Sequence, residues 1–538
     1  MAYAFINGNI RTMKSEHDRI SAFVVHDGRF LYCGTDGEAE RIVRDGRKAG
    51  IFPAGEVIDL EGRCVLPGFT DDHVHLETYA VNRLKVDLTD CTDIEEIKRR
   101  IRDRAAQVPE GQLISGTGFD HTKFREQRLP NAADLDEAAP DHPVIITRYC
   151  LHVNVANSLA LRLGGVTTLS PEERSPGFAH DGAGNLTGVM QEKEAAELVS
   201  RITNGAGLRY EDRKEAVRNA IAEANAFGIT SLHPIQGAFC DLFEHTRIYQ
   251  DLRDENRLNA RIYVGYDEFP GCEIRTGLGD DMVRYGFYKI FTDGSMGGRT
   301  AYLTEPFSDD PGNAGTCHLT QEELDARVKK AYDLRLQTAV HAIGDRAVEM
   351  TLRALKKAHD ADPRPWDSVR FRLTHCSLIN EDIIGLLKQM QVIVDMQPGY
   401  VSTNIRWSDD RVGARAKYLF AWKTLSDLGL TLCGSSDLPC EALNPLVGVY
   451  AVETRSGYDG YLPEGWQPQE RLDRYRALCL YTKNPAYASF EEAGKGTIET
   501  GKLADFTVFD EDVMTVPAKD LLQIKVYQTW LGGRKVFG

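Results

Sequence analysis

Short apolar runs bounded by Gly, Asp and Asn recur along the chain, and their spacing changes twice. Near the start, residues 4–9 form an apolar run entering an Asn-Gly turn, and residues 22–30 read as a hairpin turning at Asp27-Gly28. Residues 56–62 and 65–68 continue the same texture. The far end repeats it: residues 496–499, 504–509 and 526–537 read as short strands. Two β-rich ends around a different middle predict one small β-sandwich domain, discontinuous in sequence, built from residues 1–66 and 481–538.

The middle, residues 67–480, alternates apolar strand-like runs with helical periodicity, the pattern of a parallel sheet covered by helices. Candidate strands are 68–71, 228–232, 260–264, 287–291, 338–341, 371–375, 392–396 and 430–434. Eight such strands are what a closed (β/α)8 TIM barrel needs. Residues 322–333 and 347–359 carry apolar side chains at spacings of three and four, as helices between strands should. The interval after the first strand is roughly 150 residues, far longer than a βα connection. It contains strand-like 112–116 and 143–147 and the turn-rich 181–185, and is read as an inserted subdomain at about 80–225.

Composition narrows the classes. Apolar residues make up 42% and charged residues 27%, ordinary values for a chain that buries a core. The 538 residues exceed what one core usually supports, consistent with a barrel plus additions. A net charge of −16 repels phosphate backbones and anionic lipid, which opposes nucleic-acid and membrane partners. Eleven cysteines without a CxxC pair read as reduced thiols, and no secretory signal or transmembrane run is visible, so a cytoplasmic location is expected.

The candidate chemistry lies at the ends of the predicted strands. In Asp71-Asp72-His73-Val74-His75 the two histidines sit at i and i+2, so in a strand both point to one side. Two imidazoles there can share a divalent cation, and imidazole suits zinc. His341 ends the fifth candidate strand, His375 the sixth and Asp437 follows the eighth. Residues at the C-terminal ends of barrel strands converge on one mouth however distant in sequence, so together they point to a metal site. Lys289, in the fourth strand, points to the same mouth. An ammonium beside cations is repelled, whereas a lysine carboxylated by carbon dioxide is an anionic bridge. A substrate-binding or salt-bridged lysine is the alternative, and spacing alone does not choose.

These segments resemble the amidohydrolase superfamily. Residues 65–75 are similar to its first-strand motif, and Tyr288-Lys289-Ile290-Phe291-Thr292-Asp293-Gly294-Ser295 to the fourth-strand motif of its YtcJ-like branch, which includes the N-substituted formamide deformylases. Further matches are Val340 to Asp345, Thr374-His375-Cys376, Gly434 to Asp437, Thr482 to Ala486, Gly501 to Asp505, His152 to Ser158 and Thr187 to Glu192. The resemblance implies that His73 and His75 hold one metal, His341 and His375 a second, and that carboxylated Lys289 bridges them. It implies that Asp437 contacts the first metal and takes the proton of the attacking water. One or two ions, and Glu192 as an alternative bridge, are both left open.

His152 is a candidate for polarising a substrate carbonyl or binding a carboxylate, against a role in loop packing. Phe119, Asp120, Arg299, Gln397 and Trp407 are further substrate-pocket candidates, although Arg299 would equally brace its loop through an aspartate. His233, after the second strand, is either a pocket residue or a structural one. The expected activity is metal-dependent hydrolysis of an amide-type C–N bond (N-acyl, N-formyl or cyclic amide) in a small molecule. Deamination of an aminated ring is the rival. Deaminase relatives place a glutamate three residues after the fifth-strand histidine, and here that position is Gly344. Ester or carbamate hydrolysis uses the same chemistry, a non-catalytic scaffold is the third class, and a homodimer is compatible because large hydrolases of this type often pair.

Overall fold

The computed structural model describes residues 1–52, 54–148, 153–168, 177–191, 198, 201–202, 209–236, 242–269 and 274–538. The chain divides into two compact units, residues 1–78 with 218–538, and residues 79–217.

The first unit contains the barrel. Its strands are β1 (Phe69–Val74), β2 (Ile229–Pro234), β3 (Arg261–Tyr266), β4 (Val283–Phe291), β5 (Gln337–Ala342), β6 (Arg372–His375), β7 (Ile393–Met396) and β8 (Thr431–Gly434). They form one eight-stranded sheet in sequential order, each paired parallel to the next. Each of the eight expected barrel strands is present. Parallel strands wrapped by helices bury both faces, which is why they read as continuous apolar runs without alternation. The seam between β8 and β1 has its own construction. At one end, the amides of Thr70 and Gly434 donate to the carbonyls of Tyr481 and Leu480, both at 2.8 Å, so this peptide stands between the two strands. At the other, Asp437 N–H donates to His73 O (3.0 Å) and His75 N–H to Leu438 O (2.9 Å). That direct stitch ties the first-strand histidines to the segment carrying Asp437.

The small β portion uses both termini, as expected. One sheet orders Arg29–Gly34, Ala22–His26, Ala2–Ile6 and Gly55–Asp59; the other orders Arg534–Phe537, Val526–Leu531, Phe506–Phe509, Cys64–Pro67, Asn9–Arg11 and Arg19–Ile20. The antiparallel pairing of Phe506–Phe509 with Cys64–Pro67 joins the ends. Aromatic rings fill the space between: Phe5, Phe23 and Trp530 lie 5.0, 4.8 and 5.7 Å from Phe506, centroid to centroid. Two details differ from the sequence reading. Residues 496–499 are not a strand; only Ile498 is drawn in, its amide donating to Thr12 O at 3.0 Å. A helix at Asp36–Lys48 interrupts the strands, burying little more than Ala39 and Val43, too sparse a stripe to stand out among its charges.

The second unit is an α/β layer of its own. Its six-stranded sheet orders Phe178–His180, Leu186–Gln191, Val153–Ala156, Val144–Arg148, Ile114–Phe119 and Val86–Asp87. Helix Ile94–Ala105 starts at Asp93, whose carboxylate accepts the Glu96 amide, and buries Ile94, Ile97 and Ile101 against this sheet. Among the described residues no helix is long and apolar enough to cross a membrane.

Candidate metal centre

Barrel register brings the strand-end residues together. His73 is buried at the end of β1 and His75 follows it half-exposed. Their Nε2 atoms each lie 3.3 Å from Oδ1 of Asp437. The His375 ring centre is 5.5 Å from that of His73 and 4.4 Å from that of His341. His73, His375 and Asp437 bring ligand atoms within 4.8 Å of one another. Three backbones here are held in the left-handed region: His375 (φ 73°), Cys376 (φ 46°) and Asp437 (φ 51°). For side chains with a Cβ this costs on the order of 1–3 kcal/mol each. The hydrogen bonds Cys376 N–H to Ala342 O and Asp437 N–H to His73 O, each 3.0 Å, hold two of them in place.

The imidazoles at the ends of β5 and β6 are each oriented by a neighbour. His341 Nε2 lies 3.0 Å from the Gly294 carbonyl and 3.3 Å from Asp293 Oδ1. With its hydrogen there, Nδ1 keeps the free lone pair. His375 Nδ1 donates to Gln397 Oε1 at 2.6 Å, which leaves Nε2 free. Gln397 is itself fixed, its amide donating to Ser435 Oγ (3.0 Å) and Asp395 O (3.2 Å). Asp293 is anchored by three amides, those of Ile343 (3.0 Å), Gly344 (2.9 Å) and Tyr302 (2.9 Å).

The electrostatics suit a cation from outside. Burial keeps the His73 and His375 rings neutral, their pKa values well below the usual imidazole range. Burial works to raise the Asp437 carboxyl, but His73 and His75 outweigh it and hold it well below the usual carboxylate range. Burial, partly offset by Asp395 and Asp437, brings the Lys289 amine down to about 7. Lys289 Nζ and Asp437 Oδ1 are buried with no hydrogen-bond partner among the described residues. Neutral imidazoles, an ionised carboxylate and unpartnered buried donor atoms fit a divalent ion.

The other sequence candidates fall in varied places. Gln397 holds His375 and has no side-chain amide group to spare. Arg299 clasps Asp309 through two nitrogens, at 3.2 and 2.9 Å, so its fork braces the loop after β4, the aspartate-bracing role that the sequence offered beside a substrate contact. Trp407 lies half-buried on helix Gly399–Val412 with the Arg411 guanidinium 5.0 Å from its ring centre. Phe119 is also corrected as a substrate residue: it is fully buried in the apolar core of the second unit. Asp120 accepts from Thr122 N–H (3.2 Å) and Oγ1 (2.7 Å), capping the turn His121–Lys123. His152 and Glu192 lie outside the described residues. His233 is fully buried, its Nδ1 2.7 Å from Asp72 Oδ1, and belongs to the barrel interior.

Sequence reading passed over Asp293, Arg372 and Tyr400. Asp293 was visible as part of the fourth-strand segment, but its role depends on loops after β4 and β5. Arg372 is fully buried and donates to Asp395 (2.9 Å) and Asp72 (2.6 Å) from other strands. Tyr400 O–H donates to Asp437 Oδ2 at 2.7 Å, a contact no local pattern signals.

Comparison with known proteins agrees with this geometry. Residues 56–537 match the Amidohydrolase family. The chain is 32% identical to the YtcJ protein of Bacillus subtilis (strain 168), with 98% of each covered. It is 26% identical to an N-substituted formamide deformylase of Arthrobacter pascens, over 98% of this chain and 97% of that one. A crystal structure of an uncharacterized metal-dependent hydrolase from Pyrococcus furiosus superposes with a TM-score of 0.79 at 30% identity, covering 96% of this chain and 100% of that one.

Proposed function

This chain belongs to the amidohydrolase family and is a hydrolase, and from that premise we propose that it cleaves an amide-type C–N bond of a small molecule. N-acyl, N-formyl and cyclic amides are the candidate substrates; the deformylase relative supports the N-formyl class. The observation that carries the reading is the convergence of four histidines and Asp437 beside a buried lysine amine that has no partner among the described residues.

His73, His75 and Asp437 would hold one divalent ion, zinc or similar, and His341 and His375 a second. Bound there, such ions acidify a water and polarise a carbonyl oxygen. Lys289 would be the bridging ligand after carboxylation. Its amine is neutral in a large fraction near pH 7, and only the neutral form attacks carbon dioxide, forming the N–C bond and releasing one proton. Asp437, ionised and facing the histidines, accepts the proton of the attacking water as the oxygen adds to the carbonyl carbon. The same carboxyl then returns the proton to the departing nitrogen as the C–N bond breaks.

Gly344 argues against the deaminase alternative. A Cβ there would lie 2.0 Å from the Tyr302 backbone oxygen, so no glutamate fits where such a proton shuttle would stand. The test is a screen of zinc-loaded protein against N-formyl and N-acyl amines, cyclic amides, esters, carbamates and aminated rings. Release of a carboxylic acid and an amine from an amide is expected. Turnover confined to ammonia release from aminated rings would overturn the reading.

A further inference from the structure

Tyr400 touches a member of each half of the centre, Asp437 through its hydroxyl and His375 through its ring. It lies in the first turn of helix Gly399–Val412, directly after β7. Its ring faces that of His375 almost in parallel, 16° between planes and 6.4 Å between centres. Its hydroxyl donates to Oδ2 of Asp437 at 2.7 Å. The other carboxylate oxygen, Oδ1, is the one 3.3 Å from both His73 and His75, and it lacks a hydrogen-bond partner among the described residues.

We propose that Tyr400 is a positioning residue for the metal centre: its hydroxyl ties down one oxygen of Asp437 so that the other is presented to the ion. The inference rests on the metal reading above. A carboxylate on a single Cβ can rotate about its last bond and exchange its two oxygens. Here, among the described residues, the hydrogen bond that distinguishes them comes from Tyr400. Outer contacts that orient ligands in this way typically contribute about 10–100-fold in metal affinity.

The experiment uses the full chain stripped of metal and titrated with cobalt(II), following affinity and the visible ligand-field spectrum, with the urea unfolding midpoint as control. Tyr400→Phe keeps the ring over His375 and removes only the hydroxyl. It is expected to weaken cobalt binding about tenfold or more and to alter the spectrum, with the midpoint held. In the Asp437→Asn background the same change should have no further effect, because Tyr400 acts through Asp437. Unchanged affinity and spectrum in Tyr400→Phe would overturn the proposal. So would losses that simply add in the double variant, or a loss that follows a fallen midpoint. A wild-type chain that takes up no cobalt would sink the metal reading itself, and this inference with it.

Discussion

Two clusters inside the same barrel bury ligand-type atoms equally deeply and meet their charges differently. Around Arg372, the side chains of Asp72, Asp395 and Cys433 bring ligand atoms within 4.8 Å of one another, as His73, His375 and Asp437 do at the strand ends. By proximity alone both are metal sites. In the first, however, the protein supplies its own cation: Arg372 is fully buried and reaches Asp395 at 2.9 Å and Asp72 at 2.6 Å, with Asp72 also 2.7 Å from His233. In the second, the nearby Lys289 makes no such bond among the described residues and is drawn toward neutrality. The lesson is that proximity of donors does not distinguish a structural charge cluster from a functional one. What distinguishes them is whether the opposite charge is built in.

That contrast can be broken by substitution. Asp437→Asn keeps the shape and removes the proton acceptor, so kcat on an amide substrate should fall by about 10²- to 10⁴-fold, measured at saturating substrate, with little change in the urea midpoint. Arg372→Met should do the reverse. It leaves Asp72 and Asp395 buried without their cation, and the unfolding free energy in urea should drop by about 3–5 kcal/mol. If Arg372→Met were stable and Asp437→Asn unfolded, the assignment of the two clusters would be inverted.

Lys289 gives the most specific handle. In the unfolded chain its amine stays protonated up to its ordinary 10.5, but in the metal-free fold only up to about 7. Between those values the unfolded state binds more protons, so this group makes metal-free stability rise with pH across that window. Urea melts of metal-free Lys289→Met at a series of pH values should lack that part of the rise.

Much of this is legible in the sequence. The eight strands announced themselves because strands buried on both faces must be apolar throughout, and His73 with His75 because a two-residue spacing fixes a common side. His341, His375 and Asp437 followed from their places at strand ends. Illegible were the residues whose partners come from other strands or loops: Arg372 needs β1 and β7, Asp293 needs the loop after β5, and Tyr400 needs the segment after β8. Phe119 was misread for the same reason, since nothing local shows the second-unit core around it.

The central proposal is that the strand-end cluster binds divalent cations and that carboxylated Lys289 completes it. The direct test is elemental analysis of metal per chain after stripping with chelator and reloading with zinc, with and without bicarbonate. The account predicts about two ions per chain with bicarbonate and fewer without it. No bound metal under either condition would contradict it.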